Sequence, residues 1–140
     1  MNKVTYKIIF LLSLVQTGTA FAQWASLGSG SGYSLLYMPE KISINNGLAY
    51  LSILKNYDNS QRLKTSDGSN IMYLSEDATV IINCTNKTYS IPDNSYYSSL
   101  NKKGNAVHFV STPPDRLKWM PVDGDAMAQK LLDKVKGGCS

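Results

Sequence analysis

His108 is the only histidine in the 140-residue chain, so it is the one candidate for an imidazole general base. It lies in the apolar run Val107-His108-Phe109-Val110, and strand alternation places its side chain on the same face as Ala106 and Val110. Serine and aspartate are frequent, yet no nucleophile elbow or similar motif places a serine beside this ring. The sequence therefore favours a structural or surface histidine over a hydrolase that uses His108, and it predicts a protein that is not an enzyme.

Two close pairs of acidic residues are the remaining candidates for a chemical site. Asp123 and Asp125 precede a segment with helical periodicity, where they suit a cap and the helix dipole. Glu76 and Asp77 lie between two expected strands and are interpreted as turn residues. One histidine and two cysteines cannot supply the four ligands of a Cys/His zinc site, and no other ligand cluster accompanies the acids. We predict no catalytic residue, no metal and no cofactor.

Composition excludes a protein built to hold nucleic acid. The chain has 14 Lys and Arg against 10 Asp and Glu, and two of the cations, Lys3 and Lys7, belong to a segment that we expect to be removed. The remaining net charge of about +2 is too small for binding that depends on clustered cations neutralising phosphates. The length suits a single domain.

Residues 1–22 have the order of a secretory signal peptide. Lys3 and Lys7 precede an apolar run over residues 8–15, and the small-residue sequence Ala20-Phe21-Ala22 predicts cleavage before Gln23. A membrane anchor is the alternative, but the apolar run is well short of the roughly 20 residues that span a bilayer. No cysteine lies near the cleavage site, so lipid attachment there is not expected. We predict a mature protein without a transmembrane anchor, located in the periplasm, outside the cell or on its surface.

Cys84 and Cys139 are the only cysteines, and both belong to the mature protein. An exported protein meets oxidising conditions, which favours one intramolecular disulfide between them. Free or intermolecular thiols are the alternative, and the pair lacks the C-x-x-C spacing of a redox catalyst. A bridge that encloses residues 84–139 is expected to stabilise the fold by about 4 kcal/mol in the chain-entropy model.

Mainly short strands are expected to carry these residues. Residues 23–32 include Gly28-Ser29-Gly30-Ser31-Gly32 and are interpreted as a flexible lead-in. Beyond them, β-branched and aromatic residues recur in short runs separated by Asn, Asp, Gly and Pro, which is typical of an antiparallel sheet. The predicted strands cover residues 33–38, 41–44, 48–55, 71–75, 79–84, 88–91 and 106–111. Residues 56–70 are predicted to form a long exposed loop, Asn45-Asn46-Gly47 a turn with positive φ, and Asn86-Lys87 a two-residue hairpin connection.

Near the C-terminus the periodicity changes to that of an amphipathic helix. The apolar residues at i, i+3, i+4 and i+7 are Ala128, Leu131, Leu132 and Val135. Asp123 is the expected cap, and Gly137-Gly138 is expected to end the helix. Because Cys139 follows directly, the disulfide would hold the helix end against the strand that carries Cys84. The predicted fold class is α+β, a small and mainly antiparallel β-sheet with one C-terminal α-helix tied to it by a disulfide.

Tyrosine is frequent, with nine residues of which all but Tyr6 belong to the mature chain. It suits binding surfaces, because it offers a large contact area at a small entropic cost. Strands prefer tyrosine in any case, so most are expected to cover half-buried strand faces. These are Tyr33, Tyr37, Tyr50, Tyr73 and Tyr89. Tyr96 and Tyr97 lie next to a turn and outside the predicted strands, and we interpret them as a surface pair.

Residues spread over the whole mature chain carry a family resemblance. They are Trp24, Leu36-Tyr37, Lys41-Ile42-Ser43-Ile44, Leu54-Lys55-Asn56-Tyr57-Asp58, Tyr73-Leu74-Ser75, Cys84, Tyr89, Gly104-Asn105-Ala106-Val107, Trp119-Met120-Pro121-Val122 and Cys139. In these motifs the sequence resembles the surface-adhesin protein E family of Gram-negative bacteria. The resemblance implies a small antiparallel sheet with a disulfide-held C-terminal helix, and a surface-adhesin E-like domain over residues 33–140. It also implies exposure at the bacterial surface and binding of host matrix or serum proteins.

From this resemblance and the absence of assembled catalytic groups, we expect a secreted, non-catalytic binding protein. Its expected partners are proteins, among them host extracellular-matrix or serum proteins. The alternative is a periplasmic accessory or structural module of the cell envelope without an adhesin role. The candidate partner-binding residues are Tyr57, Arg62, Lys64, Tyr96 and Tyr97. Exposed strand edges allow dimerisation without predicting it.

Overall fold

Eight antiparallel strands form one sheet in the computed structural model, which describes residues 23–139. The signal peptide predicted for residues 1–22 lies outside the described residues. The strands are β1 (Ala25–Gly30), β2 (Tyr33–Tyr37), β3 (Ser43–Asn45), β4 (Leu48–Lys64), β5 (Asn70–Asn83), β6 (Thr88–Tyr97), β7 (Ala106–Ser111) and β8 (Met120–Pro121). A helix, α1 (Ala126–Val135), follows β8.

The strands lie in the sheet in nearly the order of the chain. β1, β2, β4, β5, β6 and β7 are side by side, while β3 pairs with the beginning of β4 and β8 pairs with the beginning of β6. Strands that follow each other in sequence are therefore mostly neighbours, as short antiparallel connections allow. This arrangement confirms the predicted antiparallel sheet with a C-terminal helix.

The hydrophobic core lies between one face of the sheet and α1. Its buried side chains are Leu35, Ala49, Leu51, Ile53, Ala78, Val80, Ile82, Tyr89, Val122, Ala128, Leu131 and Val135. In β4 and β5 these residues alternate with outward-facing ones, whereas in α1 they recur at spacings of three and four. The two periodicities read from the sequence therefore meet in one layer of packed side chains.

The predicted disulfide is present and joins Cys84, directly after β5, to Cys139, with Cα atoms 5.7 Å apart. A 3-10 turn (Lys136–Gly138) separates Cys139 from α1. The bond holds the C-terminal end of α1 beside the end of β5. Packing and a covalent bond thus both keep the helix on the sheet.

Asp125 caps the beginning of α1. Its carboxylate accepts hydrogen bonds from the Ala128 backbone N–H at 2.8 Å and from the Tyr89 hydroxyl at 2.6 Å. The prediction of Asp123 as the cap is wrong, because the Asp125 side chain is the one that reaches the unpaired N–H of the first turn. Burial opposes the charge of Asp125, but these hydrogen bonds outweigh burial and lower the pKa of its carboxyl group.

Replacing Asp125 by alanine is expected to lower the free energy of unfolding by about 1–2 kcal/mol at neutral pH, since a cap and a hydrogen bond are lost. The folded-state pKa is lowered, so this contribution is fully present above the unfolded value of about 4 and is lost as the pH falls through the folded value. Urea denaturation at about pH 7 and about pH 3 measures the effect, with Asp123→Ala as the matched control. A difference between the two variants that does not shrink at the lower pH would contradict this role.

The long exposed loop predicted for residues 56–70 is wrong. β4 continues to Lys64 and β5 begins at Asn70, so the segment forms a hairpin that ends in a turn around Gly68. Pairing of residues 48–56 with 75–83 fixes the register, and the polar residues beyond remain in strands because both faces of a two-stranded ribbon meet solvent. The turn predicted at Glu76 and Asp77 is wrong for the same reason, since both residues lie inside β5.

Residues 25–30 form β1 and not the flexible lead-in that the glycines suggested. They pair with β2 from Ala25 opposite Tyr37 to Gly30 opposite Tyr33, with a bulge at Gly28. Gly28 has a φ of +138°, and a Cβ atom there would collide with the ammonium group of Lys130 on α1. Glycine is therefore favoured at this bulge by its backbone conformation, whereas the Lys130 side chain could move aside.

The turn predicted at Asn45-Asn46-Gly47 is confirmed, whereas the connection predicted at Asn86-Lys87 is longer than predicted. Asn46 and Gly47 connect β3 to β4 with φ angles of 50° and 74°. Four residues, 84–87, connect β5 to β6 where Asn86-Lys87 alone had been predicted, because strand pairing ends at residues 83 and 88. Tyr96 and Tyr97 are the last residues of β6, so the prediction that they lie outside the strands is wrong.

Candidate functional site

An aromatic row crosses five strands on the face of the sheet against which α1 packs. It consists of Tyr33 of β2, Tyr57 of β4, Tyr73 of β5, Tyr96 of β6 and His108 of β7, and we call it the tyrosine row. Neighbouring ring centroids are 6.1, 5.6, 4.8 and 6.0 Å apart. The two central contacts are edge-to-face, an arrangement that aromatic pairs favour. All five side chains are half-buried, so part of each ring is accessible to a partner.

The pairing register of the strands places the rings of the tyrosine row next to one another. Tyr33 lies directly opposite Tyr57, and Tyr96 lies directly opposite His108. Tyr73 fills the space between these two pairs because the register between β4 and β5 shifts next to Tyr57. Bulges of this kind bend a strand and redirect its side chains. The continuity of the row therefore depends on the register shift within the long β4–β5 hairpin.

Glu76 lies at the centre of the row, with a side chain that is only 12% exposed. Its Oε1 atom accepts a hydrogen bond from the Tyr57 hydroxyl at 3.0 Å and lies 3.5 Å from Lys55 Nζ. Lys55 Nζ is also 5.4 Å from the centroid of the Tyr33 ring. In the sheet, Glu76 is opposite Lys55 on one side and opposite Tyr96 on the other. A nearly buried carboxylate is thus paired and hydrogen-bonded, as a buried charge requires.

Burial and the charge of Glu76 keep the neighbouring phenols protonated. Burial is the larger influence on Tyr57, and the Glu76 carboxylate adds to it, so the pKa of Tyr57 is raised above its ordinary value. The same two influences raise the pKa of Tyr96 to about 12 and also raise the pKa of Tyr73. At neutral pH the row therefore presents uncharged phenols around one carboxylate.

Alkaline titration is expected to separate these phenols from tyrosine in the unfolded chain. Because the pKa of Tyr96 is raised to about 12, its hydroxyl ionises at a higher pH than that of model tyrosine, which ionises at about pH 10. Folding stability is then lost as the pH rises from the unfolded value toward the folded one. Tyrosinate absorbance of the folded protein should show a late component that urea abolishes and that Tyr96→Phe reduces. A late component of unchanged size in Tyr96→Phe would contradict the burial of this phenol beside Glu76.

A polar atom beside the row lacks a partner. Asn94 Nδ2 donates a hydrogen bond to the Tyr96 hydroxyl at 3.1 Å, but Asn94 Oδ1 is buried and has no hydrogen-bond partner among residues 23–139. Alternation along β6 turns Asn94 and Tyr96 to the same face. A buried acceptor without a donor is unfavourable, so Asn94 Oδ1 is a local energetic cost in the packing of the row.

The structure brings together two of the five candidate partner-binding residues. Tyr57 and Tyr96 both belong to the tyrosine row. Arg62 and Lys64 are exposed on the outer part of the β4–β5 hairpin, beyond the row. Tyr97 follows Tyr96 in β6 and therefore points to the opposite face of the sheet.

A smaller cluster on that opposite face surrounds Lys102. Its Nζ atom forms an ion pair with Asp77 and lies 6.0 and 5.8 Å from the ring centroids of Trp24 and Tyr97. The Lys102 backbone N–H donates a hydrogen bond to the buried hydroxyl of Ser75 at 3.1 Å. These contacts hold a 3-10 turn (Leu100–Lys102) against the sheet. Tyr97 therefore has a structural role, because its ring packs beside Lys102.

Sequence reasoning missed Lys55 and Glu76, and it did not join Tyr33, Tyr73 and His108 to the predicted surface. Part of the signal was present, because alternation puts Lys55 and Tyr57 on one face of a strand. The adjacency of five strands and the bulge in β4 could not be read from local patterns. His108 contributes a ring beside Tyr96. Within residues 23–139, no group of three or more His, Cys, Asp or Glu side chains is placed to hold a metal ion.

These features define a class of small antiparallel sheet proteins in which a disulfide-linked helix covers part of one face and a row of tyrosines lies on another part of it. The family model for surface-adhesin protein E matches residues 24–140. The chain belongs to the surface-adhesin protein E family, as its sequence motifs implied, and is by family an adhesin-like surface protein. Among residues 23–139, no helix is both long enough and apolar enough to cross a membrane.

Solved structures of Haemophilus influenzae protein E are similar to this chain. Protein E from non-typeable Haemophilus influenzae is 14% identical, with a TM-score of 0.54 over 88% of this chain and 84% of that chain. A second structure of Haemophilus influenzae protein E is 13% identical, with a TM-score of 0.56 over 82% and 84% of the two chains. At this identity the similarity shows a shared fold. A search of curated protein sequences gave no match.

Proposed function

We propose that the mature chain is a secreted, non-catalytic binding protein that contacts host extracellular-matrix or serum proteins through the tyrosine row. The observation that carries this proposal is a row of five half-buried rings on the sheet face of a chain from a surface-adhesin family. Tyrosine supplies contact area and a polar tip at a small cost in conformational entropy. Strand pairing and edge-to-face contacts already fix these rings, so little ordering is required when a partner binds.

Residues beyond the row suit the rim of the same interface. Arg62 and Lys64 are exposed on the hairpin that also carries Tyr57 and Tyr73. Rim charges contribute mainly to orientation and to the rate of association, whereas aromatic anchors at the centre contribute most of the affinity. We therefore assign the central contacts to the tyrosine row and the peripheral ones to the outer hairpin.

A pull-down of the mature protein with vitronectin, laminin and plasminogen tests this function. We expect binding of at least one of them above the level given by reduced, alkylated and unfolded protein, because the row exists only when the strands are paired. Absence of binding above that control for all three proteins would remove the adhesin function.

A periplasmic accessory or structural module of the envelope is the second candidate function. It is favoured by the lack of a cysteine near the predicted cleavage site, since no lipid can be attached there to hold the protein at the surface. Cell fractionation combined with protease treatment of intact cells separates the two functions. Digestion on intact cells supports the adhesin, whereas protection until the outer membrane is opened supports the periplasmic module.

A further inference from the structure

We propose that the tyrosine row receives an arginine side chain of the protein partner, with Glu76 as its counter-ion. This inference rests on the proposed function, because it specifies the group of the partner that the row binds. It follows from a cation that the row already holds, from a carboxylate oxygen that remains unused and from the angles between the rings.

The row already holds one cation of its own chain. Lys55 Nζ lies 3.5 Å from Glu76 Oε1 and 5.4 Å from the centroid of the Tyr33 ring. A carboxylate combined with a ring face is a favourable environment for a partly desolvated cation. Lys55 covers the β4 side of the carboxylate, while on the β6 side Glu76 lies opposite Tyr96. The β6 side therefore offers the same combination of carboxylate and ring to a second cation.

One oxygen of the Glu76 carboxylate remains unused. Both contacts of the Glu76 carboxylate are made by Oε1, and none of the hydrogen bonds found among residues 23–139 involves Oε2. A guanidinium group carries five N–H donors in a planar fork, whereas an ammonium group is a compact point charge. An unused carboxylate oxygen beside partly accessible ring faces therefore favours arginine over lysine.

The angles between the rings suit a planar cation. The ring planes of Tyr57 and Tyr73 meet at 87°, and those of Tyr73 and Tyr96 meet at 72°. In an edge-to-face contact the edge of one ring meets only one face of the other, and these three side chains are only half-buried, so part of each ring remains accessible. A guanidinium group stacks on such a face while its N–H groups bond to acceptors in its own plane. Glu76 lies close enough to these rings to supply the neutralising charge.

An NMR titration of the mature protein with the blocked tripeptide acetyl-Gly-Arg-Gly-amide tests the proposal. We expect saturable shifts of the Tyr73 and Tyr96 ring resonances, which weaken as salt is added. The same peptide with citrulline has nearly the same shape without the charge, and it is expected to give no saturable shift. The lysine peptide is expected to bind more weakly than the arginine peptide. Equal binding of the citrulline and arginine peptides, or of the lysine and arginine peptides, would overturn the proposal.

Two adjacent residues of β5 provide matched variants. Glu76→Gln removes the charge from the row and keeps an acceptor for the Tyr57 hydroxyl, whereas Asp77→Asn makes the same charge change on the opposite face. We expect Glu76→Gln to weaken binding of the arginine peptide at least tenfold, about 1.4 kcal/mol. Asp77→Asn should change it by less than about twofold, because the sheet separates Asp77 from the row. Equal effects of the two variants would overturn the role of Glu76.

Lys55→Met provides a second test with the opposite sign, which remains informative if Glu76→Gln does not fold. It removes the chain's own cation, so the arginine peptide should bind several-fold more tightly. Unchanged or weaker binding would overturn the proposal. Binding of a host protein without binding of the arginine peptide refutes this inference alone. Binding of the arginine peptide without binding of any host protein refutes the proposed function alone.

Discussion

Replacing both Cys84 and Cys139 by alanine is expected to lower the free energy of unfolding by about 4 kcal/mol. The disulfide joins residues with a sequence separation of 55, so its removal gives the unfolded chain the entropy of a long open loop. A loss of this size is comparable to the net stability of many small domains. Urea denaturation of the mature protein, followed by circular dichroism, measures the difference between the two proteins.

Reduction of the unaltered protein should reproduce the effect of the double replacement. The disulfide lines an open cavity of about 390 Å³, which a small reductant can enter. The variant without cysteines is the matched control, because a reductant should leave its stability unchanged. A loss below about 1 kcal/mol in both experiments would contradict the conclusion that this bond stabilises the fold by constraining the unfolded chain.

Replacing Leu131 by alanine is expected to lower the free energy of unfolding by about 3 kcal/mol. Leu131 is fully buried between α1 and the sheet, so truncation removes apolar contacts and leaves a cavity. Asp133→Ala on the exposed side of α1 is the matched control, and it should cost less than about 0.5 kcal/mol because it breaks only an exposed ion pair with Lys136. A similar small loss in both variants would contradict the packing of α1 onto the sheet.

Much of the fold could be predicted from the sequence, because the relevant signals are local. Apolar residues alternate in β4 up to Ile53 and in β5 from Ala78, and the period changes to that of a helix in α1. Two cysteines in a chain that is predicted to be exported leave one intramolecular pairing. Family motifs spread along the chain agree with both. Sheet, helix and disulfide were therefore all predicted correctly.

The errors share one physical cause, which is that neighbouring strands override local composition. Residues 56–64 are polar and residues 25–30 are rich in glycine, yet both segments belong to strands because adjacent strands provide partners for their backbone hydrogen bonds. The charge of Glu76 suggested a turn residue. The structure places Glu76 inside a strand, because Tyr57 and Lys55 on the neighbouring strand hydrogen-bond and neutralise its carboxylate. Such effects depend on register, which no short sequence pattern specifies.

The tyrosine row, too, could be predicted only in part, because it depends on strand register. Tyr57 and Tyr96 were predicted from the sequence as partner-binding residues. The ring contacts that join them through Tyr73 depend on a bulge in β4. Arg62 and Lys64 were chosen with them and lie farther out on the same hairpin. Half-buried tyrosines of the row pack against one another, and the parts of the rings that neighbours leave uncovered remain accessible.

Surface plasmon resonance of the mature protein against immobilised host matrix and serum proteins tests the central claim most directly. The variant in which Tyr57 and Tyr96 are both serine is compared with Tyr50→Ser, a half-buried strand tyrosine on the opposite face. We predict that the mature protein and Tyr50→Ser bind the same host protein, and that the double variant binds it at least about tenfold more weakly, as the loss of interface anchors requires. Equal affinities for all three folded proteins would contradict the assignment of binding to the tyrosine row.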